Sequence, residues 1–143
     1  MRVVLDANIL ISALIRPKSV ARQIYEGARS GRIALVTCDA QFDEFRRLTR
    51  YPKVQRYIRP AEAGAMLNEL RELAVYIKVN EKVDVSPDPA DNFLFTMAQA
   101  FTMAQASQAD YLVTGDKEDV LALGRHGKTQ IVTARRLVEL LKL

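Results

Sequence analysis

The sequence predicts an α/β fold built on a mostly parallel sheet. Two observations carry this expectation. Short apolar runs recur along the 143 residues at 2–5 (RVVL), 33–37 (IALVT), 74–79 (AVYIKV), 111–114 (YLVT) and 130–133 (QIVT). Between most of them lie stretches whose apolar residues fall at helical spacing. Uninterrupted apolar runs suit strands covered on both faces, and their alternation with helices is the pattern of parallel sheets.

Taken in order, the run 2–5 ends at Asp6 and reads as a central strand. Residues 19–30 read as a helix that opens on Ser19 as N-cap and closes before Gly31. Residues 39–50 follow the second strand, with Phe42, Phe45 and Leu48 at helical spacing and Asp39 as the expected cap. Pro60 starts a helix whose apolar stripe is Met66, Leu67, Leu70 and Leu73. A long helix is expected from about Pro89, and a last one carries Leu137, Leu140 and Leu141. At 143 residues the chain fits one domain, residues 1–143, with no linker or low-complexity segment to divide it.

Composition excludes several classes. A hydrophobic share of 49% is too high for a disordered tail. The single cysteine, Cys38, leaves no internal disulfide framework and no thiolate zinc cluster, and it suits a reducing cytoplasm. The N-terminal MRVVLDANIL is broken by Asp6 and does not read as a signal peptide, and no run approaches the ~20 apolar residues of a membrane span. A soluble cytoplasmic protein with no membrane partner is expected. Charge is uneven: residues 1–60 carry 12 Lys/Arg and 5 Asp/Glu, a balance of +7 within a chain of net charge +4. A basic half points to a polyanion such as RNA, against the plainer reading of a solvated surface.

Ligands of parallel α/β sheets bind beyond the carboxyl ends of the strands, which directs attention to the residues that follow each run. Asp6 ends the first strand. Asp116 follows YLVTG just past another. Asp91, in DPADN, opens the long helix, and Glu44 lies within two turns of the start of the helix after the second strand. Four carboxylates from four segments thus converge at one edge. Gathered acids repel one another and lose solvation, and cations compensate them. Oxygen ligands suit Mg²⁺ or Mn²⁺ and not zinc, and such a centre fits phosphodiester hydrolysis. Asn8 and Thr114 are placed to orient carboxylates or water. Any one of these acids is as well read as a turn or cap residue. Asp88, Glu118 and Asp119 are read that way, and Asp110 precedes its strand and belongs to the opposite edge.

The basic residues complement this edge. Arg46, Arg47 and Arg50 follow Glu44, Arg16 and Lys18 flank Pro17, and Lys53, Arg56 and Arg59 continue the charge. RNA passing an acidic pocket needs such cations, and Tyr51 and Tyr57 are candidates for stacking on single-stranded bases. The alternative is solvated arginines beside half-buried tyrosines. His126, the only histidine, sits in GRHGK and reads as a loop residue, and no phosphate-binding glycine motif is present.

The pattern LDANILISAL, DEFRRLTRYPKV, DPADN and ADYLVTGD resembles the bacterial PIN-domain family, and within it the VapC-like toxins of toxin–antitoxin pairs. The resemblance covers essentially the whole chain. It implies a three-layer α/β/α sandwich around the parallel sheet and an endoribonuclease dependent on Mg²⁺ or Mn²⁺. It assigns the acidic positions to Asp6, Glu44, Asp91 and Asp116, and the small polar ones to Asn8 and Thr114. A homodimer neutralised by a cognate antitoxin is the further implication.

One departure from the family pattern is a tandem duplication. FTMAQA at 95–100 is repeated at 101–106, adding six residues between Asp91 and Asp116. Six residues lengthen a helix by about 9 Å and leave it about 120° out of phase. The insertion is expected to be absorbed locally with the core preserved. The alternatives are a helix extended into a domain-swapped partner, or displacement of Asp116 with loss of activity.

Rival readings are weaker. A haloacid-dehalogenase-like phosphatase needs an acid two residues after the first, where Asn8 stands. A phospho-accepting receiver domain lacks its acidic pair. A non-catalytic RNA- or antitoxin-binding module, its site impaired by the duplication, is the rival from outside the enzymes.

Overall fold

The computed structural model describes residues 1–78, 100, 102–115 and 124–143, with the side chain of His126 left aside. The chain runs β1 (Arg2–Leu5), α1 (Ala7–Ile15), α2 (Val20–Arg29), β2 (Ala34–Thr37), α3 (Asp39–Leu48), α4 (Pro52–Gln55), α5 (Pro60–Leu73) and β3 (Val75–Tyr76). It continues through α6 (102–107), β4 (Tyr111–Val113), β5 (Arg125–His126), β6 (Thr129–Val132) and α7 (Ala134–Leu141).

The six strands form one sheet in the order β3-β2-β1-β4-β6-β5. Five are parallel, and the edge strand β5 runs antiparallel to β6. β1 lies in the middle, with Val4 opposite Val36 of β2 and opposite Leu112 of β4. Alternate residues of the central strands supply two cores, as the period-2 geometry of a strand requires. Val3, Leu5, Leu35 and Val113 pack on one face with Leu10, Ile24, Phe45, Leu70 and Leu137 from α1, α2, α3, α5 and α7. Val4, Val36, Leu112 and Ile131 pack on the other with Met103 and Ala104 of α6. The architecture is therefore the expected three-layer α/β/α sandwich.

Local chemistry accounts for the element ends. Ser19 caps α2 as expected, its side chain accepting from the N–H of Arg22 at 3.1 Å. Thr133 caps α7 by accepting from the N–H of Arg136. Between α2 and α5, the buried Tyr25 hydroxyl donates to Glu69, which Arg29 also reaches at 3.1 Å.

Several expectations need correction. The N-cap of α3 is Cys38, without a side-chain cap bond, and Asp39 is already the first helical residue. Helix α1 begins immediately after Asp6, where no separate helix was expected. His126 lies in β5 and not in a loop: Gly124 and Gly127 adopt positive φ of 64° and 59°, which glycine tolerates, and so bracket a two-residue strand. Asp110 does sit at the opposite edge, where its carboxylate accepts from the N–H of Arg2 at 2.9 Å. The stretch opening the long helix, with Asp88 and Asp91, lies outside the described residues, as do 95–99 and 101 of the duplication and Asp116, Glu118 and Asp119.

The second FTMAQA copy supplies Met103 and Ala104, both fully buried, directly ahead of β4. β4 pairs with β1 in parallel, with Leu5 opposite Val113.

Candidate active site

The strand order fixes where the site forms. The chain leaves β1 toward β2 on one side, while β4 lies on the other. The crevice between the two departures opens at the carboxyl edge, the binding position of open α/β sheets. Asp6 and Thr114 are the first residues beyond β1 and β4. Because Leu5 is paired with Val113 in parallel register, these two stand side by side.

Asp6 is only 2% exposed and performs two tasks. Its Oδ1 accepts from the N–H of Ile9 at 2.9 Å, capping α1. Its Oδ2 accepts from the Thr114 hydroxyl at 2.9 Å. Burial pushes its carboxyl above the usual carboxylate range, and the N–H of Ile9, the Thr114 hydroxyl and the backbone of Gly115 and Asn8 oppose that rise. The site therefore holds an enclosed carboxylate whose negative charge is costly without a cation.

Glu44 comes to the same edge on α3, the helix that follows β2, and is 6% exposed. Two residues not singled out in the sequence join it there. Thr37 Oγ1 donates to Gln41 Oε1 at 2.8 Å, and Gln41 Nε2 donates to the Leu5 carbonyl at 2.6 Å. Both side chains are buried. Their only sequence signal is phase: Gln41 shares the inward face of α3 with Phe42, Glu44 and Phe45.

Asn8 is exposed on the first turn of α1. The expected ligands Asp91 and Asp116 lie outside the described residues, and among the described residues no three acidic, His or Cys side chains gather as a metal cluster.

The basic residues differ in disposition. Arg16, Lys18 and Arg50 are exposed. Arg46 is exposed and pairs with Asp43 at 3.1 Å. Arg47 is partly buried, and its Nε has no hydrogen-bond partner among the described residues. Tyr51 and Tyr57 are 42% and 69% exposed. Among the described residues no helix is long and apolar enough to cross a membrane.

Comparison with known families matches the chain to the PIN domain over residues 2–118. No curated protein and no solved structure matches the chain.

Proposed function

The chain belongs to the PIN-domain family, and from that membership we propose that it is a divalent-metal-dependent endoribonuclease, the toxin of a toxin–antitoxin pair. PIN domains are in general metal-dependent nucleases. The observation that carries the reading is Asp6: a buried carboxylate at the sheet's switch point, oriented by the Thr114 hydroxyl.

The donor set fits a hard cation. Asp6 and Glu44 offer buried carboxylate oxygens, and a bound cation offsets the desolvation that disfavours the charge of Asp6. Oxygen donors favour Mg²⁺ or Mn²⁺. Asp6, Glu44, Asp91 and Asp116 would hold the ion, which supplies Lewis-acid stabilisation of phosphate charge and a water of lowered pKa.

The chain's own groups do the rest. Thr114 and the N–H of Ile9 fix both oxygens of Asp6, leaving its remaining lone pairs for a cation. Asn8 orients water at the rim. Arg16, Lys18, Arg46, Arg47 and Arg50 draw the phosphate backbone toward an edge that would otherwise repel it. Tyr51 and Tyr57, both exposed, are the candidates for stacking on unpaired bases. The toxin role rests on the order of LDANIL, DEF, DPADN and LVTGD, and it brings with it a cognate antitoxin, a homodimer and a cytoplasmic setting.

Matched single-stranded RNA and DNA, each incubated with Mn²⁺, Mg²⁺ or EDTA, test the proposal. Internal cleavage of RNA that EDTA stops is expected. Binding without cleavage under every condition would instead favour a binding module disabled by the six-residue duplication.

A further inference from the structure

We propose that Gln41 is a positioning residue that fixes the distance between Asp6 and Glu44. The inference rests on the metal-centre reading above and adds a residue that the family match does not assign.

The peptide joining Leu5 to Asp6 is held from both sides. The N–H of Asp6 donates to the Val113 carbonyl of β4 at 3.2 Å. In a trans peptide the Leu5 carbonyl points the opposite way, toward β2. There the chain has already turned from β2 into α3, whose N-cap is Cys38. The Leu5 carbonyl instead accepts a hydrogen bond from Gln41 Nε2 at 2.6 Å. A carbonyl only accepts, so the amide orientation is set: nitrogen toward Leu5, oxygen toward Thr37. The Thr37 hydroxyl completes the set by donating to Gln41 Oε1 at 2.8 Å. All three groups are buried, at 2% exposure for Leu5 and Gln41 and 1% for Thr37, so water does not replace them.

The consequence follows from helix geometry. Glu44 is three residues after Gln41, on the same face of α3 and one turn along. Gln41 thus ties the backbone that carries Asp6 to the helix that carries Glu44. Support of this kind fixes ligand geometry without touching the ion, and its removal lowers metal affinity by about 10- to 100-fold in characterised sites.

Mn²⁺ titration of the full chain, read by the paramagnetic resonance of free Mn²⁺, separates positioning from mere stability when thermal unfolding is followed in parallel. Gln41→Leu is expected to weaken Mn²⁺ binding about tenfold or more, and Thr37→Val to weaken it in the same direction. Thr37→Ser keeps the hydroxyl and is expected to keep wild-type affinity. Wild-type affinity in both Gln41→Leu and Thr37→Val, with only a lowered melting temperature, would overturn the inference. Thr37→Val decides the matter where Gln41→Leu fails to fold. A wild-type chain that binds no Mn²⁺ would overturn the metal-centre reading first.

Discussion

The Thr114 hydroxyl donates to Asp6 Oδ2 at 2.9 Å, joining residues 108 apart in sequence across the carboxyl ends of β1 and β4. This bond sets one oxygen of a buried carboxylate while the N–H of Ile9 sets the other. Thr114→Val keeps the shape and removes the donor. It is expected to lower metal-dependent cleavage about 10- to 100-fold, in the range seen when support of a ligand is lost. Thr114→Ser should retain most of the rate. Equal rates for Val and wild type, measured as kcat/KM on one RNA, would contradict the orienting role.

The juxtaposition of Asp6 and Thr114 was legible in the sequence because two physical facts are local. Each follows a short apolar run, and parallel strands buried on both faces put their carboxyl ends at one edge. Glu44 was legible from its place within two turns of the start of the helix behind the second run. Helix α1 was not: ANILISALI is apolar on nearly every side and carries no clear period. β5 was hidden because two glycines at positive φ, and not side-chain pattern, define it. Gln41 was hidden for a different reason. A glutamine on a helix reads as solvent-facing, and what buries it is a carbonyl 36 residues earlier.

The exposed cations are expected to act through phosphate. Arg50→Ala should weaken binding of single-stranded RNA and reduce the slope of log K against log salt by about 0.7 to 1, the contribution of one contact. Arg46 already pairs with Asp43, so Arg46→Ala should change the slope less. Tyr57→Ala should weaken binding with little change in slope, since stacking carries no counterion release. Filter binding at a series of salt concentrations checks all three. Unchanged slopes in Arg50→Ala would remove this surface from the interface.

Tyr25 predicts an alkaline limit to stability. Burial first, and then its hydrogen bond to Glu69 and the charge of Glu69, push its phenol well above the ordinary tyrosine range. Below about pH 10 the tyrosine is neutral in both states and its contribution is whole. Above that the unfolded chain ionises first, so stability falls as pH rises. Tyr25→Phe should cost about 1 kcal/mol at pH 7, the usual worth of such a bond, and should show a shallower fall between about pH 10 and 11.5. Urea unfolding across that range is the measurement, and parallel curves for the two proteins would contradict it.

The duplication makes a prediction that does not depend on which copy is removed. Deleting 95–100 or 101–106 yields the same chain, because the copies are identical. The copy adjoining β4 contributes Met103 and Ala104 to the core, and that packing survives the deletion. A shortened chain with the same oligomeric state, by light scattering, and the same fold, by circular dichroism, is expected. A shift from dimer to monomer on deletion would point to a swapped helix.

Asp6→Asn tests the central claim most directly. Asparagine retains the cap on α1 and relieves a buried negative charge, so the metal-free variant should melt at or above the wild-type temperature. Measured side by side in Mn²⁺, wild type should cleave single-stranded RNA and Asp6→Asn should not, with EDTA reducing wild type to the level of the variant. Cleavage by Asp6→Asn at the wild-type rate, in a folded protein, would contradict the account.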